Sequence, residues 1–169
     1  MRYELLREDC SMIFEARSSV HPIGVEAAEI SGGLEAEVDG GDVRVLPGAR
    51  LEVPMDGLRS GNPLIDRETR RRMDLRRDPR LVAELLDARR AGGGRLVCRG
   101  AVTFQGRTEQ VEGELQVEEQ DDGALLLSGQ RVVDVRRWGL RPPRLLVLKV
   151  DPQVRVHLQL VARPVPDVP

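Results

Sequence analysis

Residues Arg95 to Val117 read RLVCRGAVTFQGRTEQVEGELQV, and the period of this stretch decides the fold. Leu96, Cys98, Val102 and Phe104 fall on one stripe, opposite Arg95, Val97 and Arg99. Gln105-Gly106 then interrupts the run. Beyond it, Val111, Gly113, Leu115 and Val117 alternate with Glu112, Glu114 and Gln116. Successive side chains of a strand point to opposite faces, so each stripe puts one face on an apolar interior and the other in water. Two such runs around a short glycine-bearing turn predict a hairpin. One wet face is a property of antiparallel sheets, because parallel sheets are covered on both sides.

The same alternation recurs outward from this hairpin. Val154, Val156, Leu158 and Leu160 alternate with Arg155, His157 and Gln159, and Met12, Phe14 and Ala16 share one face of an early strand. Asp39-Gly40-Gly41-Asp42, Ala91-Gly92-Gly93-Gly94 and Asp121-Asp122-Gly123 read as further turns, and Asp151-Pro152 as another. Strands are predicted near residues 2–7, 10–17, 33–38, 49–56, 80–88, 95–105, 107–119, 124–135, and 145–149 with 153–162. Many consecutive strands with short turns predict a mainly β barrel or sandwich. One segment departs from this period. Asn62 is a good N-cap, Pro63 suits the first helical position, and Leu64 through Arg76 reads as a helix that Pro79 stops. Ile65, Thr69 and Met73 share one face of it; Arg67, Arg70, Arg71, Arg72, Arg76 and Arg77 dominate the rest.

The chain of 169 residues suits one domain, here residues 1–163, with a flexible tail over 164–169. Hydrophobic residues make up 40% and charged residues 32%, which describes a globular chain. A net charge of only -2 argues against a surface built for nucleic acid. No apolar leader follows Met1, and no apolar run has the length of a membrane span, so a cytoplasmic location is expected. Cys10 and Cys98 lie far apart in strand-like stretches and read as two buried free thiols.

The order of features resembles the YceI-like family. Ser11 to Arg17 forms an early strand ahead of His21, and Leu58 to Arg67 is similar to the family's exit from a strand into its helix. A proline-led strand, Pro79 to Leu85, follows. Gly100 to Thr108 is similar to the family's hairpin, and Trp138-Gly139-Leu140 to its aromatic-Gly-aliphatic motif. The sequence departs from the pattern at Val25 to Ile30, which holds no aromatic, and at Arg136 and Arg137, which are out of register. The resemblance covers nearly the whole chain. It implies a single antiparallel lipocalin-like β-barrel of about eight strands with one short amphipathic helix. It also implies an interior pocket for polyisoprenoid or quinone-type lipids, with no catalysis, cofactor or metal.

Candidate residues follow from the inward stripes. Met12, Phe14 and Ala16 are candidates on the early strand; Leu96, Cys98, Val102 and Phe104 on the first arm of the central hairpin; Val111 and Leu115 on the second. Ile65 and Met73 on the helix and Trp138 complete the set. Periodicity alone favours a barrel packed solid with its own side chains; the resemblance reverses that preference and points to an open one. Arg70, Arg71, Arg72 and His21 are candidates for contact with a head group or an anionic surface. Helical spacings also give the arginines local partners in Asp66, Glu68 and Asp74.

The tail of a ligand should dominate its affinity. Twenty buried carbons give on the order of 16 kcal/mol gross, at about 0.8 kcal/mol each. Association costs about 4–15 kcal/mol, and an exposed ion pair returns about 0–1 kcal/mol. Enzyme signatures are missing: the sequence holds no phosphate loop, no nucleophile elbow and no H-E-x-x-H helix. The function the resemblance implies is non-enzymatic binding, carriage or storage of a long apolar lipid, and no nucleic-acid partner is expected. The alternative is an interaction module with a filled core that docks an anionic partner through the arginine-rich helix over 63–77. A transient contact with an anionic membrane and a homodimer are both compatible with the sequence.

Overall fold

A computed structural model describes residues 1–142, 144–145 and 148–167. In chain order the strands are β1 (Arg2–Leu5), β2 (Ser11–Ser18), β3 (Ile23–Ala27), β4 (Ser31–Asp39), β5 (Asp42–Val45) and β6 (Arg50–Pro54). Helix α1 (Pro63–Arg71) follows, then β7 (Arg80–Gly92), β8 (Arg95–Phe104), β9 (Arg107–Glu119), β10 (Leu125–Asp134), β11 (Arg144–Leu145) and β12 (Leu148–Pro164). Every strand pairing is antiparallel. The ring runs β1-β4-β6-β7-β8-β9-β10-β12 and closes where β12 returns to β1, giving the expected barrel of eight strands. Strands β2 and β3 lie outside the ring path, with β2 on the same edge of β12 that β1 occupies.

The central hairpin has the expected register, from Arg95 opposite Gln116 to Phe104 opposite Arg107. Its turn needs left-handed backbone at both Gln105 (φ 51°) and Gly106 (φ 78°), the geometry that matches the twist of a two-residue hairpin. Strands β3 and β5 were not foreseen. Both are short and neither is inserted in the ring: β3 pairs with β2 outside it, and β5 pairs with β4.

Three sequence expectations need correction. Asp151-Pro152 is not a turn, because β12 runs through it with a register shift between Val150 and Val154. Proline lacks the ladder donor, and a bulge is where a strand tolerates it. The helix over 63–77 ends at Arg71. Met73 and Leu75 both join the apolar cluster, which two residues at i and i+2 of one helix cannot do, so the chain must leave the helix first. Finally, Pro164 belongs to β12, and the Val165 N–H bonds the Arg2 carbonyl at 2.8 Å, so the ordered wall reaches into the expected tail. Val168 and Pro169 of that tail lie outside the described residues, as do Leu146 and Val147.

Asn62 caps α1 as read, accepting from the Leu64 and Ile65 N–H groups. Its acidic neighbours divide their work. Glu68 pairs with Arg72 (3.0 Å) and Arg71 (3.6 Å), whereas Asp66 accepts from the Ser60 N–H and hydroxyl. Among the described residues no helix is long and apolar enough to cross a membrane.

Candidate functional site

The inward stripes meet inside the barrel, but they do not fill it. Along β8, Leu96 and Phe104 are 2% exposed at either end, while Cys98 and Val102 between them are only half-buried. Along β12, Val154 and Leu160 are buried and Val156 and Leu158 between them are half-buried. Side chains that face inward and still show surface border empty space. The barrel is packed at its ends and hollow at its waist, where a cavity of about 420 Å³ lies. Volumes of about 300–1,000 Å³ are typical of ligand sites. The filled core of the alternative reading is therefore not what these residues make.

All twelve apolar candidates line this cavity. Met12, Phe14 and Ala16 come from β2, and Leu96, Cys98, Val102 and Phe104 from β8. Val111 and Leu115 come from β9, Ile65 and Met73 from α1 and the turn after it, and Trp138 from a 3₁₀ turn following β10. Trp138 is buried, and its indole N–H donates to the Val102 carbonyl at 3.0 Å, which fixes the turn against β8. The turn itself starts on Asp134, whose carboxylate accepts from the Arg136 side chain and N–H; these bonds hold its pKa below the usual carboxylate range.

The charged candidates are divided. Arg72 reaches the cavity rim, and Arg70 and Arg71 stand beside it in a shallow surface depression with Gln105. His21 lies in the exposed loop between β2 and β3, with Nδ1 2.9 Å from the Pro22 carbonyl, and the fold does not bring it to the cavity. His157 is on the outward face as read, half-buried and 3.9 Å from Glu15. Among the described residues no cluster of His, Cys, Asp or Glu has the grouping that would hold a metal ion.

Several lining residues escaped the sequence reading. Leu81, Ala83 and Leu85 of β7 alternate as clearly as those of β8. Met55 and Leu58 sit in irregular chain, where period carries no information. Arg131 of β10 also lines the cavity, and its parity with Leu125, Leu127 and Val133 was the signal for it.

Cys10 and Cys98 are both free; Cys10 is buried, and Cys98 is half-buried because it faces the cavity. Burial pushes the Cys98 thiol up, and the Asp87 carboxylate adds to the rise. Only the thiolate is nucleophilic, so modification of Cys98 should be slow at neutral pH and accelerate only above the usual thiol range. A cavity ligand should slow it further. The rate of alkylation by an apolar maleimide, followed by mass, checks both expectations; a rate indifferent to added ligand would remove Cys98 from the ligand's path.

No protein-family model matches the sequence. No curated protein matches it either. Solved structures do. BcnA of Burkholderia cenocepacia superimposes with a TM-score of 0.78 at 12% identity, over 94% of this chain and 99% of that one. A polyisoprenoid-binding domain from Saccharophagus degradans, implicated in plant cell wall breakdown, gives 0.74 at 10% identity, over 95% and 97%. The YceI protein of Campylobacter jejuni gives 0.58 at 9% identity, over 83% and 85%. Identities this low speak for the fold. The chain carries the YceI-like barrel fold that its ordered motifs resemble.

Proposed function

We propose that this protein binds a long apolar lipid in its hollow waist and carries or stores it without transforming it. The observation that carries this reading is the run of inward-facing, half-buried apolar side chains between two packed ends. Such a cavity takes an apolar chain out of water without first having to expel protein side chains. A solved neighbour that is a polyisoprenoid-binding domain supports the same class of ligand.

The volume bounds the ligand. An apolar cavity of about 150 Å³ takes up benzene, so 420 Å³ scales to on the order of fifteen to twenty carbons. A prenyl or quinone side chain longer than this must leave part of itself outside. Affinity should therefore rise about fourfold per added methylene up to that length and then level off. Titration with a homologous series of chain lengths checks this; a rise that continues unbroken well past twenty carbons contradicts the bounded cavity. Arg70 and Arg71, exposed beside the rim, supply a positive face for transient contact with an anionic membrane during loading.

Organic extraction of the purified protein, followed by mass spectrometry, is the direct test. A stoichiometric chain lipid is expected. Protein that yields none, and that takes up no apolar probe when one is offered, refutes the carrier reading.

A further inference from the structure

The inward register of β10 carries a charged residue. The inward register of β10 is Leu125, Leu127, Gly129, Arg131 and Val133; its apolar members are buried or half-buried, while Arg131 is exposed. Its register and its neighbour on β9 place the arginine on the inner side. Arg131 has the parity of Leu125, Leu127 and Val133 and is among the cavity lining. A Cβ built on Gly113, an inward position of β9, would lie 3.9 Å from the Arg131 Cβ and Cδ, so the stem of the arginine occupies the face that Gly113 leaves free. Between their ends, the inward registers of β7, β8, β9 and β12 are apolar or glycine, and Glu84, Glu112 and Glu114 of the opposite register also reach the cavity lining.

Arg131 enters none of the ion pairs or side-chain hydrogen bonds formed among the described residues. Glu109, at an inward register of the same wall, is held by Arg137 at 3.2 Å. The wall is also loose here. The β9–β10 ladder stops at Ser128 opposite Gln116, although both strands continue, and the Gln110 carbonyl is taken by the Arg137 side chain at 2.7 Å instead. The Arg131 guanidinium lies beside an apolar cavity with five donors and no ion-pair partner among the described residues, so it is open to an anion that arrives from outside.

We infer that Arg131 binds the anionic head group of the lipid, so that the preferred ligand is a long-chain amphiphile ending in a carboxylate or phosphate. This rests on the carrier reading and narrows it. The planar fork of arginine accepts two oxygens of either group side by side. Gly113, lacking a side chain, lets the Arg131 stem lie against β9. The unladdered stretch of β9 and β10 leaves the arginine in reach of water, which an ionised head group requires. The tail then runs along the apolar waist, and the head-group contact adds a bias to an affinity set mainly by the tail.

The test uses one chain and three heads: hexadecanoate, hexadecyl phosphate and hexadecanol, each competing with a neutral fluorescent apolar probe. In the native protein both anions should bind roughly tenfold tighter than the alcohol, the worth of a charge-assisted contact. Arg131→Met keeps the stem and removes the charge; it should bring both anions down to the affinity of the alcohol. Arg131→Lys should keep part of the preference. Arg155→Met, on the outer face of β12, removes the same charge from outside and should leave the preference intact. Anions that keep their advantage in Arg131→Met overturn the assignment of Arg131 while leaving the carrier reading standing. Failure of all three heads to displace the probe, or of the probe to bind, overturns both. A preference for one anion alone decides between the carboxylate and the phosphate.

Discussion

Ala83→Phe combined with Val156→Phe is expected to weaken binding of a hexadecyl-chain ligand by about 200-fold without destabilising the protein. Ala83 on β7 and Val156 on β12 stand on opposite walls of the ring, and both face the cavity half-buried. Two phenyl rings there occupy space the ligand needs. A chain that must withdraw four methylenes loses about 3 kcal/mol, at about 0.8 kcal/mol each. The stability of the empty protein separates this from ordinary damage. Extra bulk in a packed core costs about 1–3 kcal/mol; in a hollow waist the added rings gain contacts instead. The thermal midpoint of the ligand-free variant should hold or rise, and the upward shift that ligand gives the native protein should vanish. A variant that binds as before, or one that is destabilised by more than about 2 kcal/mol, would mean the waist is packed.

Gly32→Ala should cost about 4 kcal/mol or more of stability, a large share of the 5–15 kcal/mol typical of a domain. Gly32 sits at φ 144°, which L side chains rarely adopt. A Cβ there would lie 2.0 Å from the Arg50 carbonyl oxygen and 2.9 Å from the Leu51 Cα, both backbone atoms. The position matters because β4 meets β6 only over Ser31 to Gly33, opposite Glu52 to Arg50. This short ladder holds together the side of the ring next to the closure between β1 and β12. The methyl group can be accommodated only by moving those strands apart. Gly24→Ala, in β3 with nothing within 4 Å of the added Cβ, is the matched comparison and should be close to neutral. Urea midpoints of the two variants check the contrast; equal midpoints would show that β4 and β6 do not depend on this close approach.

Much of the barrel was legible because a period of two survives in any register. Leu96 to Phe104 and Val111 to Val117 name their inward faces from spacing alone, and each residue chosen from those stripes lines the interior or packs at its end. The N-cap at Asn62 was legible for a similar reason: one side-chain oxygen satisfying two nearby N–H groups is a local event. Helix length was not local. It was cut at Arg71 so that Met73 and Leu75 could both reach the same apolar cluster, a demand set by the barrel and not by the arginines between them. The place of Pro152 in a bulge is likewise not local, since it depends on β2 as the partner strand.

The sequence by itself determined which side chains face inward, because alternation is a property of each strand taken alone. Whether those side chains touch one another was decided only by tertiary structure. Ring closure sets the width of the waist, and at that width Cys98, Val102, Val156 and Leu158 fall short of the opposite wall. The same closure put Arg131 across from Gly113, turning an unremarked arginine into an unpaired cation beside an apolar cavity.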